Sequence, residues 1–292
     1  MNEPLVSVVI PCHNHGRFLA QAIDSVFAQT YSNVECVVVD DGSDDNTCEV
    51  ANQYASRPHF VFIHKPEVGG VAKARNSAIQ ASAGSYILSL DADDYILPTF
   101  VEKAMGWFLA HPSTKLVYSK VQTFGESEGP LGLDEYDYRK FIFNNCIPAT
   151  ALFRREDYDQ THGYNPNMQH GLEDWDFFLS LLEEGDEVHC IDECLFCYRQ
   201  VYGSRNSNIV LFERDLYRQL YHNHSELYDK YLATLEGDRL LFAVSHAPLY
   251  EQATQESRRL NDELKAIRSS RAYRLGKALL RPIKVFKEKW YR

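Results

Sequence analysis

Short apolar runs rich in β-branched residues alternate with amphipathic segments along the first third of the chain. The runs predict strands at residues 5–10, 34–39, 59–64 and 85–90. The segments between them carry apolar residues at helical spacing and predict helices at 16–29, from Asp45 or Asn46 to 55, and at 71–81. This alternation favours an α/β fold with a parallel or mostly parallel central sheet flanked by helices.

The pattern changes twice further along the chain. Residues 98–208 predict helices at 98–111 and 173–182, strands at 116–123 and 147–153, a polar loop at 125–137 and an extended segment at 187–198. After about Asn208 the pattern is mostly helical. We therefore expect an α/β domain at 1–207 and a helical extension at 208–292.

The charge distribution separates the same two regions. The whole chain carries −11, but residues 265–292 hold ten Lys and Arg against the single acid Glu288 and thus carry +9, which leaves −20 on the rest. An acidic body is a poor partner for nucleic acid. The basic tail is expected to meet the anionic inner face of the plasma membrane, with a solvated helix or a homodimer contact as alternatives.

Cysteine usage and hydropathy indicate the compartment. The seven cysteines form no repeating framework, and the sequence enters its first predicted strand directly. No apolar run approaches the roughly 18 residues that span a bilayer. We expect reduced thiols and a cytoplasmic protein, peripheral at the membrane if the tail binds there.

Polar residues cluster where predicted strands end. Pro11 ends the first strand, Asp41 the second, and Asp91, Asp93 and Asp94 follow the fourth. In α/β sheets, ligands bind beyond the carboxyl ends of parallel strands, so these residues are expected at one edge. Alternate residues of an extended segment point the same way, which lets Asp91 and Asp93 face one hydrated Mg²⁺ or Mn²⁺.

Each of these signals has an ordinary structural explanation when it stands alone. An acidic triplet can be a strand-end turn, and an Asp-Gly pair such as Asp41-Gly42 is typical of turns. Arg75 can lie on a solvated helix face. Glu173 and Asp174 can stabilise a helix N-terminus, or Asp174 can act as a general base.

Taken together, the motifs resemble one family. They are Val6-Ser7-Val8-Val9-Ile10-Pro11 with Asn14, Ser25 with Gln29, Asp40-Asp41-Gly42-Ser43, Ala74-Arg75-Asn76, Asp91-Ala92-Asp93-Asp94 and Glu173-Asp174. Their order and spacing over residues 5–200 are similar to those of family 2 glycosyltransferases, inverting enzymes of the Rossmann-like GT-A fold.

The resemblance implies a role for each matching residue. Pro11, Asp41, Arg75 and Asp91 would bind the nucleotide-sugar, Asp93 would hold a divalent metal, and Asp174 would be the catalytic base. The reaction implied is sugar transfer from a nucleotide diphosphate sugar to a hydroxyl of a glycan or a lipid-linked acceptor, as in polysaccharide biosynthesis. UDP is the nucleotide that the resemblance favours, with GDP and dTDP open.

The sequence leaves other functional classes open to different degrees. A non-catalytic sugar-nucleotide-binding or scaffold protein is the main alternative, and a nucleotidyltransferase is a weaker one, because the loop after the first strand has a single glycine, Gly16. The G-x-G-x-x-G of a dehydrogenase is absent. Cys190, Cys194 and Cys197 with His189 could ligate zinc, but their spacing favours buried thiols.

Overall fold

The computed structural model describes residues 3–201, 205–232 and 259, and the account below concerns the compact unit Met1–Tyr231. Its first part alternates strands and helices: β1 (Val6–Cys12), α1 (Gly16–Phe27), β2 (Val34–Asp41), α2 (Thr47–Asn52), β3 (Phe60–Lys65), α3 (Val71–Ala81) and β4 (Tyr86–Ser89). The four strands pair in parallel in the order β3-β2-β1-β4. The predicted strand–helix alternation is therefore confirmed.

The second part extends the same sheet. Its elements are β5 (Tyr95–Ile96), α4 (Phe100–Ala110), β6 (Thr114–Gly125), β7 (Gly129–Leu131), α5 (Tyr138–Phe141), β8 (Ala151–Arg154), α6 (Arg155–Tyr158), α7 (Glu173–Leu181), β9 (Glu187–Gln200), α8 (Arg205–Asn223) and α9 (Ser225–Leu232). The sheet order is β3-β2-β1-β4-β8-β6-β9-β5, with β7 beside β6. Strand β8 runs antiparallel to β4 and β6, so the sheet is mixed, with a parallel half where the acidic motifs lie.

A hydrophobic core covers each face of the sheet. Every residue of β1 is buried, and its side chains alternate between the two cores, with Val8 in one and Val9 in the other. Helix α1 packs Leu19 and Ile23 into the first core, while α3 contributes small residues such as Ala78 to the second. Burial of β1 on both faces explains its continuous apolar sequence.

Two predicted elements differ in the structure. The segment 125–137, expected as a loop, contains β7, which is held on β6 partly by the Thr123 hydroxyl donating to the Gly129 carbonyl. The strand expected at 147–153 begins only at Ala151. Strand β7 has three residues and β8 has four, so each is too short to show a clear alternation of its own.

The motif residues Ser25 and Gln29 have a structural role in α1 and the turn after it. The Gln29 side chain donates to the Leu97 carbonyl and accepts the Val101 amide. The Ser25 hydroxyl accepts the Ile96 amide at 3.3 Å. These bonds fix the start of α4 and β5 against α1, which anchors the chain just after the acidic turn.

A buried polar network joins the amino ends of the parallel strands. One oxygen of Glu35 accepts the Ser7 hydroxyl at 2.5 Å and the amides of Ala83 and Gly84 at 2.6 and 3.0 Å. A Cβ added to Gly84 would lie 2.3 Å from the Ser7 hydroxyl and 2.7 Å from the Ser7 amide nitrogen. The close approach of β4 to β1 therefore requires glycine at this position.

The predicted division after residue 207 falls within α8, and Leu216 and Leu220 of that helix are buried in the core cluster that contains Trp175. The division itself stays a prediction, since the basic tail at 265–292 lies outside the described residues. None of the helices among the described residues has the length and hydropathy needed to cross a bilayer.

Candidate active site

The carboxyl ends of β1, β2 and β4 lie side by side and bring the strand-end motifs together. Pro11 pairs with Val39, and the next pair in register is Cys12 with Asp40. Strand β4 lies on the other side of β1 and ends at Ser89, two residues before Asp91. The sheet order thus places Pro11, Asp41 and the acidic turn at one edge, as the sequence predicted.

Asp41 is anchored at the start of α3. Its carboxylate accepts the amide of Gly69 at 3.0 Å and that of Gly70 at 2.7 Å, which are free donors at the helix N-terminus. The Asp41 carbonyl lies 2.8 Å from Nδ1 of His13. Asp41 itself is 3% exposed.

The acidic turn after β4 presents its carboxylates unequally. Asp91 and Asp93 keep 36% and 22% of their side chains exposed, whereas Asp94 is buried. Burial and the neighbouring charge of Asp91 raise the pKa of Asp93, although His15, 3.6 Å away, opposes this. Repulsion between exposed carboxylates is the situation that a divalent cation relieves.

The turn fits a metal ion that has few protein ligands. Asp91, Asp93 and Asp94 do not bring three ligand atoms within 4.8 Å of one another, so they form no closed cage. Mg²⁺ and Mn²⁺ commonly take one or two carboxylates and complete their shell with phosphate and water. Asp93 matches that arrangement, and Asp94 does not face the open side.

Asp94 instead closes the far end of the site. Its carboxylate accepts the backbone amide of Arg199 at 2.7 Å, and the Arg199 guanidinium donates to the Asp93 carbonyl at 2.7 Å. That guanidinium also lies over the rings of Phe18 and Phe124, at 4.1 and 4.3 Å. Burial and the nearby charges of Asp93 and Asp91 raise the pKa of Asp94 well above its ordinary value, which favours its neutral form.

Arg75 links the acidic turn to α7. It is 1% exposed, and its two terminal nitrogens donate to Asp91 at 2.6 Å and to Glu173 at 2.7 Å. The guanidinium also lies 5.3 Å from the ring centre of Tyr164. These carboxylates keep the pKa of Arg75 well above its ordinary value despite burial. The sequence predicted Arg75 as a nucleotide contact, and the structure places it beneath Asp91, where it orients that carboxylate.

The first turn of helix α7 places Asp174 in the same site. The residue before the helix, Leu172, has a φ of 59°, a left-handed conformation rare for a bulky residue and costly to maintain. This turn sets Glu173 and Asp174 in the first helical turn. Burial and the adjacent charge of Glu173 raise the pKa of Asp174 to about 6, even though Arg75 favours its charged form.

Asn76 stabilises the loop over Arg75, a role that the sequence did not reveal. Its side-chain oxygen accepts the amide of Tyr164 and the hydroxyl of Tyr158, and its nitrogen donates to the Tyr164 carbonyl at 2.7 Å. Glu173 was likewise not predicted as the partner of Arg75. The 98 residues that separate these two in the chain leave no local signal.

Trp175 and three cysteines of β9 are further residues whose side chains could bind a ligand or a metal. Trp175 is buried, and its indole nitrogen donates to the Phe141 carbonyl, so it is a core residue of α7. Cys190, Cys194 and Cys197 are free thiols along β9. Within the described part of the chain they belong to no group of three metal ligands. Cys197 is buried as predicted, whereas Cys190 and Cys194 are only half-buried, which corrects the expectation of buried thiols for those two.

The comparisons with known proteins identify the family. The family model described as Glycosyl transferase family 2 matches residues 7–161, which is more than half of the chain. The chain belongs to glycosyltransferase family 2. The match includes the β1, β2, Arg75 and acidic-turn motifs, and Asp174 lies beyond it.

Among curated relatives, the hyaluronan synthase of Pasteurella multocida is 31% identical over 245 residues, which cover 77% of this chain and 25% of that protein. Glycosyltransferase GlyG of Streptococcus pneumoniae is 32% identical over 221 residues, 68% of this chain and 72% of the relative. The chain thus spans about a quarter of the synthase and most of GlyG.

Solved structures share the fold at low sequence identity. S. aureus TarS 1-349 in complex with UDP-GlcNAc has a TM-score of 0.62 at 18% identity, over 75% of this chain and 66% of that one. The mannosyltransferase PcManGT from Pyrobaculum calidifontis, in complex with GDP-Man and Mn²⁺, has a TM-score of 0.57 at 18% identity, over 95% of this chain and 84% of that one. These similarities establish the GT-A-type fold.

Proposed function

We propose that the chain is an inverting glycosyltransferase that moves a sugar from a nucleotide diphosphate sugar to a hydroxyl of a glycan or lipid-linked acceptor. The observation that carries the proposal is the Arg75 bridge. One guanidinium binds Asp91 of the acidic turn and Glu173 of α7. It therefore connects the residues proposed to bind the donor with the helix that carries the proposed catalytic base, Asp174. Family membership and the UDP-GlcNAc and GDP-Man complexes of the structural relatives support a nucleotide-sugar donor.

In this proposal the strand ends bind the nucleotide part of the donor. The Pro11 backbone and Asp41 contact the nucleobase. Asp91, which Arg75 orients, contacts the ribose or the diphosphate. Asp41 is already held by two backbone amides, so its geometry is set before the donor arrives. Preorganisation of this kind reduces the entropy lost on binding.

Asp93 would hold Mg²⁺ or Mn²⁺ together with the donor diphosphate and water. The Mn²⁺ in the mannosyltransferase complex supports a divalent ion in this fold. When bound, the cation would offset the negative charge that grows on the leaving phosphate. Burial and the nearby charge of Asp91 raise the pKa of Asp93, and a divalent cation beside it would favour the charged carboxylate.

Asp174 would accept the proton of the acceptor hydroxyl. Its pKa of about 6 leaves it ionised at pH 7 and yet basic enough to take a proton, which is the range in which a general base works best. A single base opposite the leaving group suits direct displacement with inversion. Glu173 beside it is committed to Arg75 and positions the helix start.

Donor screening tests the proposal without knowledge of the acceptor. Thermal unfolding would be measured with UDP-, GDP- and dTDP-sugars, with and without Mn²⁺, followed by an assay for released nucleoside diphosphate. We expect metal-dependent stabilisation by one nucleotide class and slow hydrolysis of that donor. Stabilisation with no release, even with a panel of glycan acceptors, would favour the binding-protein alternative, and no stabilisation would contradict the donor site.

The acceptor and the membrane setting rest on sequence and relatives. The similarity to a hyaluronan synthase supports a polysaccharide acceptor. The +9 tail supports docking to anionic lipid, which would bring a lipid-linked acceptor close. Cosedimentation of the intact chain with phosphatidylglycerol vesicles at low salt, compared with neutral vesicles, tests the docking. Equal recovery with both vesicle types would contradict it.

A further inference from the structure

Three metal-ligating side chains from three different elements converge beside the candidate donor site. They are Asp40 at the end of β2, Cys48 in α2 and His64 near the end of β3. Oδ2 of Asp40 lies 3.0 Å from Sγ of Cys48 and 2.9 Å from Nδ1 of His64, and the sulfur and nitrogen are 3.4 Å apart. Within the described residues this is the one group of three such side chains whose ligand atoms all lie within 4.8 Å.

The Asp40 carboxylate is unusual because it is fully buried and is not paired with Lys or Arg. Its side chain is 0% exposed, and Oδ1 accepts the Ser43 amide. Among the ion pairs of the described residues, the only basic partner of Asp40 is His64. Oδ2 therefore faces a thiol and an imidazole, each of which also ligates metals. A buried carboxylate generally needs a cation or several donors to offset its desolvation.

The ligand set and its spacing match a zinc-type ion. Tetrahedral zinc with bonds of about 2.0–2.3 Å separates its N, O and S ligands by roughly 3.3–3.6 Å. The observed separations of 2.9 to 3.4 Å need to open by only a few tenths of an ångström. His64 is 48% exposed on its side chain, so the fourth coordination position and the entry path can face solvent.

We propose that Asp40, Cys48 and His64 form a second metal site that takes a borderline-soft divalent cation such as Zn²⁺. The carboxylate, the thiolate and the imidazole Nδ1 would be the three protein ligands, with water as the fourth. Binding would release the thiol proton of Cys48 to solvent. The thiolate and imidazole disfavour Mg²⁺ and Mn²⁺, which prefer oxygen ligands, so this site and Asp93 would select different ions.

The site would act on the donor pocket through the backbone of β2. Asp40 immediately precedes Asp41, and His64 pairs in register with Asp40. A metal bound across β2, α2 and β3 would fix the loops that follow these strands. We therefore expect zinc-type ions to raise the stability of the chain independently of any nucleotide-sugar.

Cobalt substitution tests the proposal directly. The untagged chain, freed of metal, would be titrated with Co²⁺ while the near-ultraviolet absorbance is followed, because a thiolate bound to Co²⁺ gives a charge-transfer band. We expect one equivalent to bind, the band to appear, and Zn²⁺ but not excess Mg²⁺ to remove it. Cys48→Ser should abolish the band, and His64→Asn should weaken binding by at least about tenfold.

Two matched controls separate this site from the other candidates. Cys194→Ser alters a free, partly exposed thiol of β9 and should leave the band unchanged. Asp93→Asn alters the acidic turn and should also leave it unchanged. The proposal is overturned if no band forms, if the band survives in folded Cys48→Ser, or if Cys194→Ser removes it. Should Cys48→Ser fail to fold, unaltered Co²⁺ affinity in His64→Asn, whose side chain is half exposed, would overturn it equally.

Discussion

Asp174 is proposed to be the base, and its environment predicts that removing its charge stabilises the protein. Burial and the neighbouring Glu173 disfavour the carboxylate more than Arg75 favours it, which raises its pKa from 3.8 to about 6. The native state therefore binds this proton more tightly than the unfolded chain does. The contribution of Asp174 to the free energy of unfolding therefore falls as the pH rises from about 4 to about 6, and it stays unfavourable above that range.

The pKa difference sets the magnitude. At 1.36 kcal/mol per pH unit, a rise from 3.8 to about 6 corresponds to about 3 kcal/mol as an upper bound. The Asp174 side chain is partly exposed, and solvent screening reduces the effect. We expect Asp174→Asn to be about 1–3 kcal/mol more stable than the wild type at pH 8 and to lose this advantage near pH 4.

Urea unfolding followed by tryptophan fluorescence at pH 8 and pH 4 measures this difference. The same variant should retain metal-dependent donor binding and lose transfer by about 10²–10⁴-fold, the usual contribution of a general base. Wild-type transfer should fall as the pH drops below about 6, where Asp174 gains its proton. An Asp174→Asn protein that is less stable at pH 8, or that transfers sugar at the wild-type rate, would refute the reasoning.

Asp176 on the same helix provides the matched control. It is buried, and its carboxylate accepts hydrogen bonds from the Asn223 amide and from Nε2 of His224 at 3.1 Å. Both donors bond the same oxygen, Oδ1, so the amide oxygen of Asp176→Asn can still accept them, but the bonds lose the contribution of the carboxylate charge. We expect a loss of about 1–3 kcal/mol, the opposite sign to Asp174→Asn.

Three further outcomes follow from the contacts of the site and the sheet. Arg75→Met leaves two carboxylates without their buried partner and should cost about 3–5 kcal/mol in urea unfolding, and a loss below about 1 kcal/mol would contradict the bridge. Asp93→Asn should remove the Mn²⁺-dependent part of donor stabilisation in thermal unfolding without lowering the metal-free melting temperature, and an unchanged Mn²⁺ response would exclude Asp93 as the ligand. Gly84→Ala should cost about 1–3 kcal/mol because its Cβ meets the Ser7 backbone, whereas Gly106→Ala, with open space around it, should be neutral or stabilising in the same assay.

The sequence determined the parallel half of the sheet and the edge at which the site lies. The apolar runs of β1, β2 and β4 are long enough to show strand character, because each is buried on both faces. Since parallel strands end at one edge, the positions of Pro11, Asp41 and Asp91 after those runs predicted their neighbourhood without coordinates. The order of strands and motifs along the sequence was sufficient to predict this edge of the sheet.

The tertiary structure alone decided which side chains meet across the sheet. Arg75 could have lain on a solvated face, and only the tertiary structure buries it with Asp91 and Glu173 as its partners. The convergence of Asp40, Cys48 and His64 likewise depends on the register of β2 with β3 and on the position of α2. These contacts join residues far apart in sequence, and hydrophobic periodicity carries information about which face a residue occupies but not about its partner on another element.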